Sequence, residues 1–261
     1  MFFLFANCFF LIFIVLFLAA HIFKMVRLYL VLIETRIPFT EFLFLYMRTT
    51  LVNLIIPFKL GEIYRIIAVT RVTGRKEVGI CGVIVDRFFD TVSLLCILIP
   101  CELIFIRQVN VIPVILFAGL ILLLLIYIFF EPSYQYLNNY IIRFKKSGRA
   151  MGVLSGLDMA GEWHNYVRSL VHGRSALMIL SSLAGWVFEI FAIKALAAGL
   201  HEGFDIYDFD NYINSIFGAG EKIRVSEYYG VIASIIICVA TIISLLIWNA
   251  EKGRNPGENK K

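Results

Sequence analysis

The residues best able to do chemistry in this chain lie between Asn53 and Asp90. They read Asn53-x-x-x-Pro57-x-x-x-Gly61-Glu62-x-x-Arg65, then a short basic link, then Asp86-Arg87-x-x-Asp90. All of them interrupt apolar sequence. Ionisable groups are costly in lipid hydrocarbon, so they persist where they face a water-filled cavity, pair with one another or handle a substrate. Proline removes a backbone donor and ends a helix, so one half-helix stops at Pro57 and the next starts near Gly61. A helix N-terminus inside a membrane offers unpaired N–H groups and positive dipole character to an anion. Lys59 and Arg65 add cations beside it, and Glu62 can pair with Arg65 on one helical face. In the following helix Asp86, Arg87 and Asp90 share one side. A guanidinium takes phosphate or carboxylate bidentately. Arg65, Arg87 and Lys59 therefore suit an anionic headgroup, with Glu62, Asp86 and Asp90 holding the cations between substrates. The same residue types suit an ion-pair network that only packs two helices together. Residue types alone leave the two open.

Paired carboxylates also raise acid–base catalysis, but no nucleophile motif, phosphate-cradling Gly-rich loop or metal pattern accompanies them. An enzyme is not the expectation, and no catalytic residue, metal or cofactor is assigned. The five cysteines form no CxxC pair, and the four histidines form no HExxH or Cys/His cluster. The cysteines read as small buried apolar residues.

The elements that must position these groups follow from composition. Of 261 residues 60% are hydrophobic and 16% charged, with a mean hydropathy of +0.84; soluble domains carry about 25% charged residues. Apolar runs near the ~20 residues needed to span a bilayer recur along the chain. A soluble core or a nucleic-acid-binding domain is excluded. The expected class is all-α, a polytopic integral membrane helix bundle. Residues 1–261 form one membrane domain: a first half at 1–130 carrying the polar motif, a basic amphipathic connector at 131–174, and a second half at 175–261.

Residues 1–20 are read as the first span, because no basic residue precedes them and Leu18-Ala19-Ala20 fits a cleavage site poorly. His21 to Arg36, with Lys24, Arg27 and Arg36 against Glu34, is read as a polar segment after it. Ile37 to Thr70, broken at Pro57 and Gly61, fits a re-entrant pair of half-helices. Val78–Ile106, Val109–Phe130, Ser175–Leu200 and Tyr228–Ala250 supply four more spans. From Ser133 to Arg174 six Lys/Arg oppose Asp158 and Glu162, interleaved with Tyr134, Tyr136 and Tyr140, which suits helices on a membrane surface as well as a solvated connector. His201 to Glu227 is acidic, with six Asp/Glu against Lys222 and Arg224. Basic loops stay cytoplasmic. That rule puts 21–36, 71–77, 131–174 and the tail inside, and 107–110 and 201–227 outside. The alternation closes only if 37–70 enters and leaves on one face, giving about five full spans plus a re-entrant broken-helix hairpin.

The motif has an echo. Asn53…Gly61-Glu62-x-x-Arg65 is matched by Asn214…Gly220-Glu221-x-x-Arg224, with Asn-to-Gly spacings of eight and six and no proline in the second copy. Opposite sides for the two copies would make a degenerate inverted repeat of the transporter kind; chance matching in so biased a sequence is the other reading.

The combined Asn53–Arg65 and Asp86–Asp90 pattern resembles the signature of the flippase-like membrane region of lysylphosphatidylglycerol synthases, most strongly over residues 45–95. The resemblance extends to Trp186 and Glu189, which look like that family's later Trp and acidic pair. It departs at Asp86, where glutamate is commoner, and in the second half, where a Pro-Gly-rich segment is reduced to FGAGEKIRVSE. The resemblance implies a multi-pass protein of the cell (inner) membrane that binds or moves lipids, either an anionic phospholipid or a polyprenyl-linked sugar. It makes Glu62, Arg65, Arg87 and Asp90 the leading site residues, with Asn53, Pro57 and Gly61 shaping the break. Trp186, Glu189, Glu221 and Arg224 are secondary candidates. Without a soluble synthase domain, lysyl transfer is not implied. The alternative is a non-transporting accessory protein that holds a glycosyltransferase or lipid-modifying enzyme at the membrane through the 131–174 region. No nucleic-acid partner is expected.

Overall fold

The structure is a computed structural model describing residues 2–56, 60–107, 109–144, 148–217 and 224–254. Among these residues all regular structure is helical. The helices are α1 (Phe2–Leu32), α2 (Phe39–Ile55), α3 (Gly61–Thr73), α4 (Lys76–Cys101), α5 (Val111–Phe144), α6 (Gly148–Val171), α7 (Ser175–Gly199), α8 (Ile206–Ile216) and α9 (Arg224–Arg254). Five described helical stretches are long and apolar enough to cross a membrane: Cys8–Thr35, Lys76–Ile106, Val111–Arg143, Ser175–Gly199 and Arg224–Gly253. The chain is a polytopic membrane helix bundle.

The first span is longer than the apolar run suggests. Nothing breaks the helix before Pro38, so α1 continues through His21, Lys24 and Arg27 and stops at a short 3-10 turn, Ile33–Thr35. Arg36 then takes a left-handed φ of 52° and turns the chain. The polar segment expected from residue 21 is thus the last third of a membrane helix. Its charges have to be met inside the bundle.

α2 and α3 form the broken pair. Ile56 is extended, as the residue before a proline must be. α2 has 17 residues and α3 has 13, about 25 and 20 Å at ~1.5 Å per residue. Neither reaches across ~30 Å of hydrocarbon. At the tip a Cβ on Gly61 would collide with the backbone and side chain of Asn53, so the two half-helices meet there only because residue 61 is glycine. At the far end Gly74 adopts φ 69° and its N–H caps Thr70 O at 2.9 Å. Gly79 likewise leaves no room for a Cβ against Ile66 and Thr70, so α4 starts hard against α3.

Contacts between helix ends fix the sides. Arg174 bonds Glu34 at 2.6 Å, joining the start of α7 to the end of α1. The Arg75 guanidinium lies 5.8 Å over the Tyr166 ring, joining the α3–α4 turn to α6; burial pushes that phenol up to about 12. Phe44 stacks on Trp248, so α2 runs antiparallel to α9 with its start beside α9's end. These ends define one pole, here termed the basic end. At the opposite pole the Tyr207 hydroxyl donates to Phe105 O at 3.3 Å, and Arg224 pairs with Glu202 at 3.1 Å. Both open ends of the α2–α3 hairpin lie at the basic end, which makes it re-entrant.

Two regions differ from the sequence-based expectation. Residues 131–144 prolong α5 past Pro132, and α6 folds back on it through Tyr134–Asp158 and His164–Tyr127 O contacts. The basic connector is therefore largely a helical hairpin extending α5. The acidic stretch 201–227 contains α8, started by a capping box in which Asp205 and Asp208 exchange bonds with each other's backbone. The cysteines are free, but only Cys81 is buried; Cys8, Cys96 and Cys238 are exposed on helices within the spans.

α1 and α7 pack antiparallel along their lengths through small residues, which let helices approach in lipid. Gly185 lies against Ala20 and Lys24, and Gly199 against Phe9 and Phe10. Ser182, on the same helix, reaches Arg27.

Candidate functional site

Four helices bring charge to one place at mid-depth. Arg27 on α1 is 1% exposed and is the hub. Its Nε donates to Asp86 Oδ1 at 2.6 Å, its Nη1 donates to Asp90 and to Ser182 Oγ (2.8 Å), and Nη2 reaches Asp86 Oδ2 at 3.4 Å. Asp86 and Asp90 sit one turn apart on α4, which is why both face α1. Asp90 lies 14 residues beyond Lys76, about 21 Å along the axis.

The hairpin closes over this hub. Arg65, in the second turn of α3, approaches Asp86 Oδ2 at 3.5 Å and Glu62 at 3.6 Å. Glu62 accepts from Asn53 Nδ2 at 2.5 Å across the break. Arg87 spans the gap, with Nη2 and Nε on Asp86 at 2.5 and 3.1 Å, and Nη1 3.1 Å from Asp90 and 3.5 Å from Glu62. On the α7 side Lys24 pairs with Glu189 and stands 5.0 Å over the Trp186 ring, while Trp186 Nε1 donates to Asp90 O at 3.3 Å. Tyr212 of α8 and Tyr229 of α9 donate to Glu189 Oε1 at 3.0 and 3.1 Å.

The sequence motif is thus assembled into one body. Asn53, Gly61, Glu62, Arg65, Asp86, Arg87 and Asp90 converge, and Trp186 and Glu189 join them from α7. Arg224 does not: its side chain is 70% exposed, pairs with Glu202 and lies over the Tyr228 ring. Pro57, Lys59 and Glu221 lie outside the described residues. The motif does not single out Lys24 and Arg27. Their signal is the i, i+3 spacing on an apolar run with no helix breaker before Pro38.

The cluster borders a cavity of about 740 Å³ running between α1, the hairpin, α4 and α9; Lys24, Arg27, Glu62, Arg65, Arg87, Asp90 and Glu189 all line it. Four cations (Lys24, Arg27, Arg65, Arg87) face four carboxylates (Glu62, Asp86, Asp90, Glu189), so the cluster is formally neutral. Its parts differ in access. The Arg27 and Arg65 side chains are closed off, whereas those of Arg87 (34% exposed) and Lys24 (21%) open to the cavity. At the hairpin tip Asn53 Oδ1, Glu62 Oε2 and Arg65 Nε are buried without a hydrogen-bond partner. Buried polar atoms are normally satisfied, so this wall has hydrogen-bonding capacity to spare. Among the described residues no group of three or more His, Cys, Asp or Glu is arranged to hold a metal. Guanidinium, ammonium and carboxylate groups bordering one cavity can bind a charged group.

A family model described as "Lysylphosphatidylglycerol synthase TM region" matches residues 3–202. The chain belongs to that family. The match takes in α1 through α7, and so every member of the charged cluster; α8 and α9 lie beyond it. No curated protein and no solved structure matches the chain.

Proposed function

We propose that this family member binds a phosphate-bearing lipid headgroup in its membrane-depth cavity and passes it between leaflets, as a flippase-like protein of the cell (inner) membrane. The observation that carries this reading is the opening of Arg87 and Lys24 onto a cavity of about 740 Å³ whose wall holds unsatisfied polar atoms. A bound phosphate would compete with Asp90 and Glu62 for Arg87, and with Glu189 for Lys24. Arg27 and Arg65 would stay on Asp86 and keep the frame in place. The carboxylates freed by that exchange could take an amine, so headgroups that join a phosphate to a cationic group also suit the cavity. The close approach that Gly61 allows to Asn53 brings Glu62 and Arg65 to it.

The formal neutrality of the cluster favours a second reading. Four cations matched by four carboxylates need no ligand, as in an accessory protein that anchors a glycosyltransferase or lipid-modifying enzyme. Mass spectrometry of lipids copurifying with the detergent-solubilised protein, wild type beside Arg87→Ala, separates the two. One phosphate-bearing lipid enriched in the wild type and lost in the variant supports headgroup binding. Identical bulk-like profiles would favour the accessory reading. Transbilayer movement of a fluorescent analogue of the enriched lipid in proteoliposomes then tests translocation.

A further inference from the structure

A fifth intramembrane cation stands apart from this cluster. Arg48 on α2 does not line the cavity, and among the described residues no carboxylate pairs with it. Its guanidinium lies 5.2 Å over the Phe44 ring and 5.8 Å over the Tyr64 ring. Its Nε is buried with no hydrogen-bond partner. Cation–π contacts offset charge but accept none of the N–H donors that a guanidinium presents in its plane. The row continues on the other side: Phe44 stacks on Trp248 at 5.3 Å and 11°, and Lys252 Nζ lies 5.2 Å over Trp248. Lys252, Trp248, Phe44, Arg48 and Tyr64 thus form a continuous cation–aromatic seam across α9, α2 and α3.

Depth identifies what could fill it. Arg48 is nine residues past Phe39, about 14 Å along the helix, and its reach back over Phe44 returns it by about one 5.4 Å turn. The guanidinium therefore sits under 10 Å from the basic end, near the boundary between headgroups and acyl chains where charged side chains snorkel. An anion at that level with two oxygens in one plane is the phosphodiester of a membrane lipid, which matches guanidinium geometry bidentately. Lys252 adds a second cation to the seam and favours a phospholipid of net negative charge.

We propose that Arg48, flanked by Phe44 and Tyr64 and seconded by Lys252, forms a separate site for one anionic phospholipid at the α2–α3–α9 seam. The site is independent of the cavity and does not rest on its reading as a headgroup site.

Native mass spectrometry of the full chain, titrated with phosphatidylglycerol or with diacylglycerol of the same acyl chains, tests it. Arg48→Gln should weaken one phosphatidylglycerol equivalent about tenfold or more, leave diacylglycerol adducts unchanged, and add to any loss caused by Arg87→Gln. Arg48→Lys, which keeps the charge but not the fork, should recover part of that loss. Lys252→Gln, at an exposed position, should weaken the same equivalent about threefold, so a misfolded Arg48 variant would not end the test. Unchanged phosphatidylglycerol binding in Arg48→Gln and Lys252→Gln overturns the site. So does equal loss of both lipids, which is a packing effect, or displacement by millimolar orthophosphate, which makes it a free-anion site. A loss in Arg87→Gln without one in Arg48→Gln would leave the cavity reading standing and this one refuted.

Discussion

The two helix breaks of this chain carry the same local pattern and meet opposite fates. At the first, Asn53 ends α2 and Gly61-Glu62-x-x-Arg65 opens α3, with Arg65 4% exposed among Glu62 and Asp86. At the second, Asn214 lies near the end of α8 and Arg224 opens α9, but Arg224 is 70% exposed and its partners are the surface glutamate Glu202 and the neighbouring Tyr228 ring. The first break lies inside the matched family region and the second beyond it. What separates them is the neighbourhood. The first is roofed by α4 and reaches, through Asp86, the Arg27 of α1; Arg224, which follows the second, pairs with Glu202 at the pole opposite the basic end. A short charged motif therefore acquires a role only when other helices supply its counter-charges.

The largest expected effect comes from removing the hub on which the first break depends. Arg27→Leu leaves Asp86 and Asp90 without their shared cation, and breaking one side of a buried ion pair costs about 3–5 kcal/mol. Thermal unfolding in detergent should show a large fall in Tm, and the double variant Arg27→Leu/Asp86→Leu should recover part of it. A fall below ~1 kcal/mol would make the first break as loose as the second. Next is the glycine contrast. Gly61→Ala forces a Cβ into Asn53 and should cost about 1–3 kcal/mol. Gly230→Ala, on α9 with open space around it, should be neutral or stabilise by up to ~1 kcal/mol. Equal effects would mean that Gly61 is no more tightly packed than a helix glycine in open space.

A smaller shift tests the strand of the network that ties the second half to the first. Tyr229→Phe removes one of the two phenol bonds to Glu189, and hydrogen bonds between membrane helices average about 0.6 kcal/mol with a maximum near 1.7. A loss in that range, with lipid copurification reduced but not abolished, fits a supporting role. The smallest effect belongs to Arg224→Ala. An exposed pair is worth about 0–1 kcal/mol, so unfolding and lipid profile should match the wild type. A loss as large as that of Arg65→Ala would revive the second copy as a site.

Much of the site was legible in the chain because its signals are local. Pro57 and Gly61 mark a break wherever they fall, and Asp86, Arg87 and Asp90 share a face by helical period alone. Arg27 and Lys24 were hidden for the opposite reason. They follow an apolar run in a place where charge usually marks a loop, and their partners are 59 and 165 residues away. Tyr212 and Tyr229 are hidden too, 23 and 40 residues from Glu189; their hydroxyls look like ordinary interfacial aromatics until Glu189 is set beside them.

The sequence by itself determined that this is an all-helical membrane chain, which stretches are apolar enough to cross, that one segment is broken and re-entrant, and which charged residues of that segment and α4 share a face. Hydropathy, helical period and the backbone chemistry of proline and glycine act over a few residues, and so can be read there. Only the tertiary structure decided that α1 runs on to Leu32, that Arg27 is the cation joining two aspartates, that Arg65 is enclosed while Arg224 is exposed, and that Arg48 has no carboxylate partner among the described residues. Those outcomes depend on which helices lie side by side at a given depth. In a medium with almost no water, the helices alongside are the main source of counter-charge for a buried ion.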